Sequence, residues 1–181
     1  MGQACIEYAI VDGPLGFLLV AATERGVCNV RFGHTAAELE AGLRAEFPFA
    51  AVEANPERLR RWVAALVRYL EGGSQQLDVP LDVRGSQFQR RVWNAICAIP
   101  YGRTRSYGDI AEALGRPGAA RAVARACAAN PLAVAIPCHR VVGRRGELRG
   151  YRWGVDRKRA LLAREAAVAK ADRVGGAVAA R

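Results

Sequence analysis

The sequence predicts an α+β protein of two subdomains. Three strand-like segments lie together in the first third of the chain, whereas capped segments with helical periodicity dominate the second half. A Gly72-Gly73-Ser74 stretch separates the two regions. We predict a small antiparallel β-sheet with helices over residues 1–80 and a mainly helical subdomain over residues 85–166. An Ala/Gly-rich, flexible tail is predicted over residues 167–181.

The three strand-like segments are separated by short turns. Cys5–Val11 and Phe17–Ala22 are mostly apolar and flank Asp12-Gly13-Pro14, whose residue types favour a turn. Arg25-Gly26 makes the next turn, into Val27–Phe32. Because short turns join antiparallel neighbours, these segments predict a meander.

Two helices are predicted after the strands. Thr35 and Glu38 form a capping-box pattern, which predicts a helix to Phe47. Asn55 and Pro56 begin the second helix, since Asn is a preferred N-cap residue and Pro suits the first turn. The apolar residues of this second helix recur on one face and are Leu59, Trp62, Val63, Leu66, Val67 and Leu70.

The second half of the chain contains a possible helix-turn-helix element. A capping box at Ser86–Gln89 starts one helix, and Ser106 caps a shorter helix through Leu114. The Gly115–Gly118 turn and a helix over residues 119–129 follow. This order is that of a helix-turn-helix element, although two packed core helices give the same pattern.

The last third combines extended segments with one more helix. Leu132–Ile136 has the pattern of a buried strand and leads into Pro137–Arg140, a proline-bounded turn. Residues 141–151 are compatible with a hairpin or wing. Asp156 is expected to cap a final helix, which frays from Ala166.

The composition narrows the class of protein. Lys and Arg total 27 against 17 Asp and Glu, a net charge of +10 that suits a polyanionic partner such as nucleic acid. The N-terminus lacks the pattern of a signal peptide, and no apolar run reaches the roughly 18 residues that span a bilayer. We therefore expect a soluble, cytoplasmic protein. Its five cysteines contain no Cys-x-x-Cys pair, so reduced thiols are expected.

Cys138 is the strongest candidate in the sequence for a nucleophilic residue. A cysteine reacts as its thiolate, so its free pKa of roughly 8.5 must be lowered by a positive charge, a base or a helix N-terminus. His139 is the main candidate base, because the other histidine, His34, lies in a predicted surface loop. A small buried cysteine beside a hydrogen-bonded histidine is the alternative. The spacing of histidines and cysteines fits no metal-binding pattern, so no metal is predicted.

The stretch Ile136–Val142, with the sequence IPCHRVV, resembles the active-site signature of the O6-alkylguanine-DNA alkyltransferases. The other segments that resemble this family are Phe88–Trp93, Ile99–Gly102, Ser106-Tyr107, Ala120–Val123, Asn130-Pro131, Gly150–Val155 and Leu161–Glu165. Residues 1–80 resemble its variable N-terminal subdomain more loosely. The likeness is to bacterial forms, including the catalytic half of the adaptive-response protein without its four-cysteine zinc module. It implies an RNase H-like N-terminal subdomain and a winged-helix, helix-turn-helix DNA-binding subdomain.

The resemblance implies DNA repair by direct reversal. An alkyl group would pass irreversibly from O6-alkylguanine, or from O4-alkylthymine, to Cys138 after the nucleotide is flipped out of double-stranded DNA. The resulting thioether has no easy hydrolysis route, so one molecule repairs one lesion without a cofactor. The resemblance further implies a monomer in the cytoplasm, associated with the nucleoid in a bacterium.

Five catalytic roles follow from the resemblance. Cys138 would be the nucleophile, and His139 would take the thiol proton through a water. Glu165 would orient the imidazole and stabilise its charge, and Asn130 would fix the hydrogen-bonded network. Tyr107 would donate a proton or a hydrogen bond to the N3 side of the purine. Without the resemblance, Glu165 is an ordinary helix carboxylate and Tyr107 a core aromatic residue.

The resemblance also implies how the base and the DNA are held. Arg121 would fill the space left by the flipped nucleotide, and the alanine-rich helix that carries it would enter the minor groove. The predicted base pocket comprises Pro137, Val141, Val142, Gly150 and Tyr151. The predicted DNA contacts comprise Arg121, Ala120, Ala122, Ser106, Arg125 and Arg140. Additional arginines that would attract phosphates in a salt-sensitive way are Arg103, Arg105, Arg116, Arg144, Arg145 and Arg149.

The sequence departs from the family at two places. Some members carry a zinc in the N-terminal subdomain, and Cys5 and Cys28 match two of its positions, whereas Thr23 stands where another cysteine is expected. Arg149 and Arg152 flank the pocket segment where some relatives have smaller residues, so the size of the alkyl group stays open.

Three other functions compete with alkyl transfer. An alkyltransferase-like damage sensor shares the fold but typically lacks the reactive cysteine. A helix-turn-helix transcription regulator does not need the Pro137–Arg140 motif. A cysteine hydrolase turns over repeatedly and does not explain a helix-turn-helix element.

Overall fold

The computed structural model describes residues 5–178, which form two compact units. The first unit comprises the described chain up to Gly85 together with Pro131–Ala135. The second comprises Ser86–Asn130 and the described chain from Ile136 onward. The predicted α+β class is confirmed, because the first unit holds a sheet with two helices and the second is mainly helical. None of the described helices is long and apolar enough to cross a membrane.

The first unit is built on a four-stranded sheet of order β3-β2-β1-β4. The predicted antiparallel meander is confirmed and consists of β1 (Cys5–Val11), β2 (Phe17–Thr23) and β3 (Gly26–Gly33). The sequence does not predict β4 (Ala51–Ala54), which pairs in parallel with β1. Val52 is its one large apolar residue, so the segment lacks a strand pattern.

Two helices of the first unit begin at their predicted caps and are α1 (Ala36–Glu46) and α2 (Pro56–Leu70). The Thr35 hydroxyl accepts a hydrogen bond from the Glu38 amide at 3.1 Å. The Glu38 carboxylate accepts from the His34 amide, also at 3.1 Å, rather than from the Thr35 amide that a capping box predicts. One core cluster of this unit comprises Ile6, Tyr8, Leu19, Ala21, Cys28, Leu39, Leu43 and Val52.

The second unit contains the predicted helix-turn-helix element. Its first three helices are α3 (Gln87–Cys97), α4 (Tyr107–Ala113) and α5 (Ala120–Ala128). The serine caps of α3 and α4 both form complete capping boxes. The Trp93 indole donates a hydrogen bond to the Ala126 carbonyl at 2.9 Å, which joins α3 to α5.

Leu132–Ile136 is a turn, so the prediction of a buried strand here is wrong. The Val30 amide donates to the Pro131 carbonyl at 3.0 Å, and the Ala133 amide donates to the Val30 carbonyl at 2.9 Å. Val134 has a φ of 68°, which an extended strand excludes. The apolar run reflects burial of its side chains, which periodicity cannot distinguish from a strand.

A hairpin or wing over residues 141–151 does not form. β6 (Val141–Val142) instead pairs in parallel with β5 (Arg105–Ser106). The Gly143 amide donates to the Glu147 carbonyl at 2.9 Å and closes the loop that follows β6. Parallel pairing joins segments far apart in the chain, so no local signal predicts it.

The last helix, α6, spans Val155–Val178. Because the helix begins at Val155, Asp156 lies within its first turn, and the prediction that Asp156 is the N-cap is wrong. The helix continues to Val178, so it does not end near Ala166, where the sequence predicts that it frays. Residues 179–181 of the predicted tail lie outside the described residues.

Candidate active site

Cys138 begins a single 3-10 turn, Cys138–Arg140. The side-chain amide of the buried Asn130 donates to the Ile136 carbonyl at 2.9 Å and to Cys138 Sγ at 3.1 Å. The Cys138 side chain is largely buried, yet it lines a cavity. Asn130 therefore holds the segment before the turn and also positions the sulfur.

His139, the next residue, is fully buried and pairs with Glu165 of α6. Its Nε2 lies 2.7 Å from Glu165 Oε1. Within residues 5–178, His139 Nδ1 has no hydrogen-bond partner. An ionised carboxylate only accepts hydrogen bonds, so Nε2 carries the proton and Nδ1 presents a lone pair.

The Glu165 carboxylate accepts hydrogen bonds from two further groups. Arg140 donates to it from Nε at 2.9 Å and from Nη2 at 3.0 Å, and the Gly102 amide donates at 3.0 Å. Arg140 Nη1 donates to the Ile99 carbonyl at 2.7 Å. The guanidinium is thus buried and bound to Glu165, so the prediction that Arg140 contacts DNA is wrong.

The hydrogen bonds around Glu165 determine the charge states of the His139–Glu165 pair. Burial alone would raise the pKa of Glu165, but hydrogen bonds from His139 and Arg140 outweigh it and lower this pKa to about 2. Burial lowers the pKa of His139, and the neighbouring Glu165 opposes that shift. The resting pair at neutral pH is a carboxylate beside a neutral imidazole, which can accept a proton.

The Cys138 thiol is protonated in the resting protein. Burial raises its pKa well above the ordinary value of a cysteine, and the nearby Cys127 thiol raises it further. The hydrogen bond from Asn130 lowers it. The sulfur therefore becomes a nucleophile only when its proton can pass to a base, and His139 is such a base.

A cavity of about 680 Å³ is lined by Cys138, by one face of α5 and by residues of the loop after β6. Its volume falls within the range of pockets that hold small molecules. Five exposed arginines are among its lining residues and are Arg121, Arg144, Arg145, Arg149 and Arg152. The cavity therefore combines the Cys138 sulfur with a positively charged rim.

Tyr107 and Ser106 lie at the start of α4 and differ in their exposure. Tyr107 lines the cavity, and burial raises its pKa to about 12, so its phenol stays protonated. The Ser106 side chain is buried and accepts a hydrogen bond from the Asp109 amide at 3.1 Å. Ser106 is therefore a helix cap, and its predicted DNA contact is wrong.

Sequence reasoning overlooks Lys158, which is fully buried on α6. Its ammonium group donates to the Val141 carbonyl at 2.6 Å and to the Arg149 carbonyl at 3.1 Å. Burial lowers the pKa of this lysine. Lys158, Leu161 and Glu165 lie on one face of α6 and are all buried. Because a lysine is normally exposed, no local sequence signal marks Lys158 as inward-facing.

Two family models match the chain. The ribonuclease-like domain of 6-O-methylguanine DNA methyltransferase matches residues 6–83, and the DNA binding domain of the same family matches residues 87–167. The chain belongs to the 6-O-methylguanine DNA methyltransferase family. The resemblance seen in the sequence is thereby confirmed, as is the division of the fold into a ribonuclease-like and a DNA-binding part.

Several relatives of this methyltransferase family cover most of the chain. The methylated-DNA–protein-cysteine methyltransferase of Mycobacterium tuberculosis H37Rv is 44% identical over 92% of this chain and 96% of its own. The crystal structure of Mycobacterium tuberculosis OGT in complex with DNA matches with a TM-score of 0.77 and 41% identity, covering 90% of this chain and 94% of that one.

The Ada proteins are also similar to this chain. The bifunctional transcriptional activator/DNA repair enzyme Ada of Escherichia coli K12 is 47% identical over 89% of this chain. That match and the one to the regulatory protein Ada of Salmonella typhimurium cover 46% of the relative. The chain therefore spans about half the length of these two relatives.

The candidate site gathers residues from separate segments. Asn130, His139 and Glu165 meet around Cys138 as the resemblance implies, although their separation in sequence hides the arrangement from local patterns. The predicted residues that line the cavity are Cys138, Tyr107, Ala120, Arg121, Gly150 and Tyr151. The other predicted residues do not line it and are Pro137, Val141, Val142, Ala122, Arg125, Ser106, Arg140, Asn130, His139 and Glu165.

Proposed function

We propose that the protein repairs alkylated DNA by moving the alkyl group of O6-alkylguanine to its own Cys138. The observation that carries the proposal is a thiol at a cavity, next in sequence to a neutral imidazole that an ionised carboxylate holds in place. Relatives that match over nearly their whole length are methylated-DNA–protein-cysteine methyltransferases. The same sulfur would accept the alkyl group of O4-alkylthymine.

The first step is removal of the thiol proton. A water between Cys138 Sγ and His139 Nδ1 passes the proton to the imidazole. Glu165, kept anionic by Arg140, stabilises the imidazolium that forms. The neutral thiol and imidazole become a thiolate and an imidazolium, so the buried site gains no net charge and the cost of ionisation is limited.

The second step is transfer of the alkyl group. The thiolate attacks the alkyl carbon, a sulfur–carbon bond forms, and the carbon–O6 bond breaks with its electron pair passing to the purine. The protonated Tyr107 phenol donates a hydrogen bond to the N3 side of the purine and limits its negative charge. The thioether is stable to water, so each molecule acts once and needs no cofactor.

The damaged nucleotide reaches the sulfur by leaving the duplex, which costs a few kcal/mol. Ala120, Ala124 and Ala128 line the cavity from α5, and such small side chains let a helix backbone approach a narrow minor groove. Arg121, on the same face and exposed, fills the space left in the base stack. The arginine rim holds phosphates of any sequence.

The site needs residues of one chain only. The thiol, its base, the orienting carboxylate and the cavity lining all belong to the second unit. The protein therefore acts as a monomer on double-stranded DNA. Chromosomal DNA as substrate places it at the nucleoid, in the cytoplasm of a bacterium.

The test of this function is the stoichiometry of transfer. The protein is incubated with an excess of duplex that carries O6-methylguanine with a labelled methyl group. We expect one methyl per protein molecule, none for Cys138→Ser, and one again for the control Cys97→Ser, which removes an exposed thiol of α3. Repeated turnover, or full transfer by Cys138→Ser, would refute the proposal.

A further inference from the structure

A second thiol lies beside the proposed nucleophile and has no part in alkyl transfer. Cys127 is in the last turn of α5 and lines the same cavity as Cys138. The two thiols are near enough for Cys127 to raise the pKa of Cys138. Because both side chains face this cavity, they can approach each other there to form a disulfide, whose S–S bond is about 2.05 Å.

The backbone segments that carry the two cysteines are tied together by one residue. The Asn130 backbone amide donates to the Cys127 carbonyl at 3.2 Å. Its side chain donates to the Ile136 carbonyl at 2.9 Å and to Cys138 Sγ at 3.1 Å. These three contacts hold the end of α5 next to the Cys138 turn, so both cysteines remain at the same cavity without a change of fold.

We propose that hydroperoxides convert Cys127 and Cys138 into a reversible disulfide, which withdraws the sulfur from alkyl transfer and protects it from permanent oxidation. The inference goes beyond the proposed repair function. It assigns Cys127 as a resolving cysteine, a role that alkyl transfer does not require.

Hydrogen peroxide is the oxidant that converts the two thiols into the disulfide. The Cys138 thiolate, formed by proton loss to His139, attacks one peroxide oxygen, and the O–O bond breaks. The products are the sulfenic acid of Cys138 and a hydroxide, which takes the proton from His139 and leaves as water. The Cys127 sulfur then attacks the Cys138 sulfur, the S–O bond breaks, and a second water leaves. Two thiols and one peroxide thus give one disulfide and two waters.

Peptide masses report the disulfide directly. Trypsin cleaves after Arg125 and Arg140, so both thiols lie in the peptide of residues 126–140. The full-length protein is treated with a small excess of hydrogen peroxide without DNA, its remaining thiols are blocked with N-ethylmaleimide, and it is digested. We expect this peptide to lose two hydrogens and to carry no maleimide. Dithiothreitol should restore two reactive thiols.

Three variants distinguish a resolving role from general oxidation. In Cys127→Ser and Cys127→Ala, we expect Cys138 to accumulate as sulfinic and sulfonic acid, with thiol recovery about tenfold lower than in the unsubstituted protein. In the control Cys97→Ser, we expect the same internal disulfide as in the unsubstituted protein. A Cys138 that links to Cys97, or that recovers equally well without Cys127, would overturn the proposal.

The readout does not depend on repair activity. A protein that accepts no methyl group from DNA still shows whether the disulfide forms, so the two proposals fail separately. When the protein does transfer methyl groups, the fraction of disulfide should equal the fraction of lost transfer capacity, and dithiothreitol should restore both.

Discussion

At the scale of single residues, the site is governed by the ion pair of Arg140 and Glu165. Both side chains are buried, and the guanidinium contacts both carboxylate oxygens. A buried charge that loses its partner is left unpaired in a poorly solvating interior. Arg140 thus keeps Glu165 ionised, and Glu165 in turn keeps the proton of His139 on Nε2.

Arg140→Met tests this dependence. We expect the free energy of unfolding to fall by about 3 kcal/mol or more, because Glu165 remains buried without its partner. Alkyl transfer should be lost as well. Urea denaturation monitored by tryptophan fluorescence measures the change in the free energy of unfolding.

The matched control is Arg90→Met, which removes an exposed arginine of α3. We expect it to change the unfolding free energy by less than about 0.5 kcal/mol. Equal losses in the two variants would contradict a special role for the buried pair.

At the scale of elements, the segment from the end of α5 to the Cys138 turn is the least regular part of the site. Asn130 holds it from the inside, and its contacts run to the Cys127 carbonyl, the Ile136 carbonyl and Cys138 Sγ. This segment includes Val134 in the left-handed region of backbone conformation, which a β-branched residue rarely adopts. A turn of this kind is stable only when surrounding contacts hold it.

Asn130→Ala removes two of those contacts. We expect the unfolding free energy to fall by about 1–3 kcal/mol, because the buried Ile136 carbonyl loses its donor. The pKa of Cys138, already raised above 9.0 by burial, should rise further because Asn130 lowers it in the intact site. Alkylation of Cys138 by iodoacetamide, followed by peptide mass, should therefore shift to higher pH.

The control for this experiment is Asn94→Ala, which removes an exposed side chain of α3. It should leave the pH profile of Cys138 alkylation unchanged. A profile in Asn130→Ala that coincides with that of the control would mean that Asn130 does not act on the sulfur.

The same elements show what sequence can predict. The helix starts at Asn55, Ser86 and Ser106 are confirmed because a cap is a local signal, formed by residues within one turn. β4 and the β5–β6 pair depend on distant partners, and the turn at Leu132–Ile136 depends on burial and on Asn130. Local periodicity shows neither which distant strand a segment pairs with nor which side-chain contacts hold a buried turn.

The residues of the candidate active site also fall into two groups, those that the sequence predicts and those that only the structure shows. Cys138 and His139 are visible in the sequence as a motif, and the family resemblance supplies Asn130, Glu165 and Tyr107. Neither source shows that Arg140 is buried against Glu165 or that Lys158 binds the Val141 carbonyl. A charged residue in a basic chain is expected in solvent, so only tertiary structure shows these two inside.

At the scale of the whole molecule, net charge governs the proposed binding to DNA. The net charge of +10 favours binding to phosphates of any sequence, and the arginines at the cavity concentrate that charge near the sulfur. Affinity for undamaged duplex should therefore fall steeply as salt is raised. In the proposed function, the cavity rather than the charge selects the damaged base.

Arg121→Ala separates the flipping step from the chemistry. We expect the rate of repair in duplex DNA to fall at least about tenfold, since a lost interaction of about 1.4 kcal/mol has that effect. The reaction with free O6-benzylguanine, which needs no flipping, should be nearly unchanged. Arg125→Ala, which lies on α5 outside the cavity lining, is the comparison. Equal losses with both substrates would remove the flipping role from Arg121.

The most direct test of the proposed function is to locate the transferred methyl group by mass spectrometry. After reaction with O6-methylguanine duplex, we expect one added methyl in the tryptic peptide of residues 126–140, and fragment ions should assign it to Cys138 rather than to Cys127. If the duplex is repaired but the methyl group lies on Cys127, on another residue or on no residue of the protein, the proposed transfer to Cys138 is wrong.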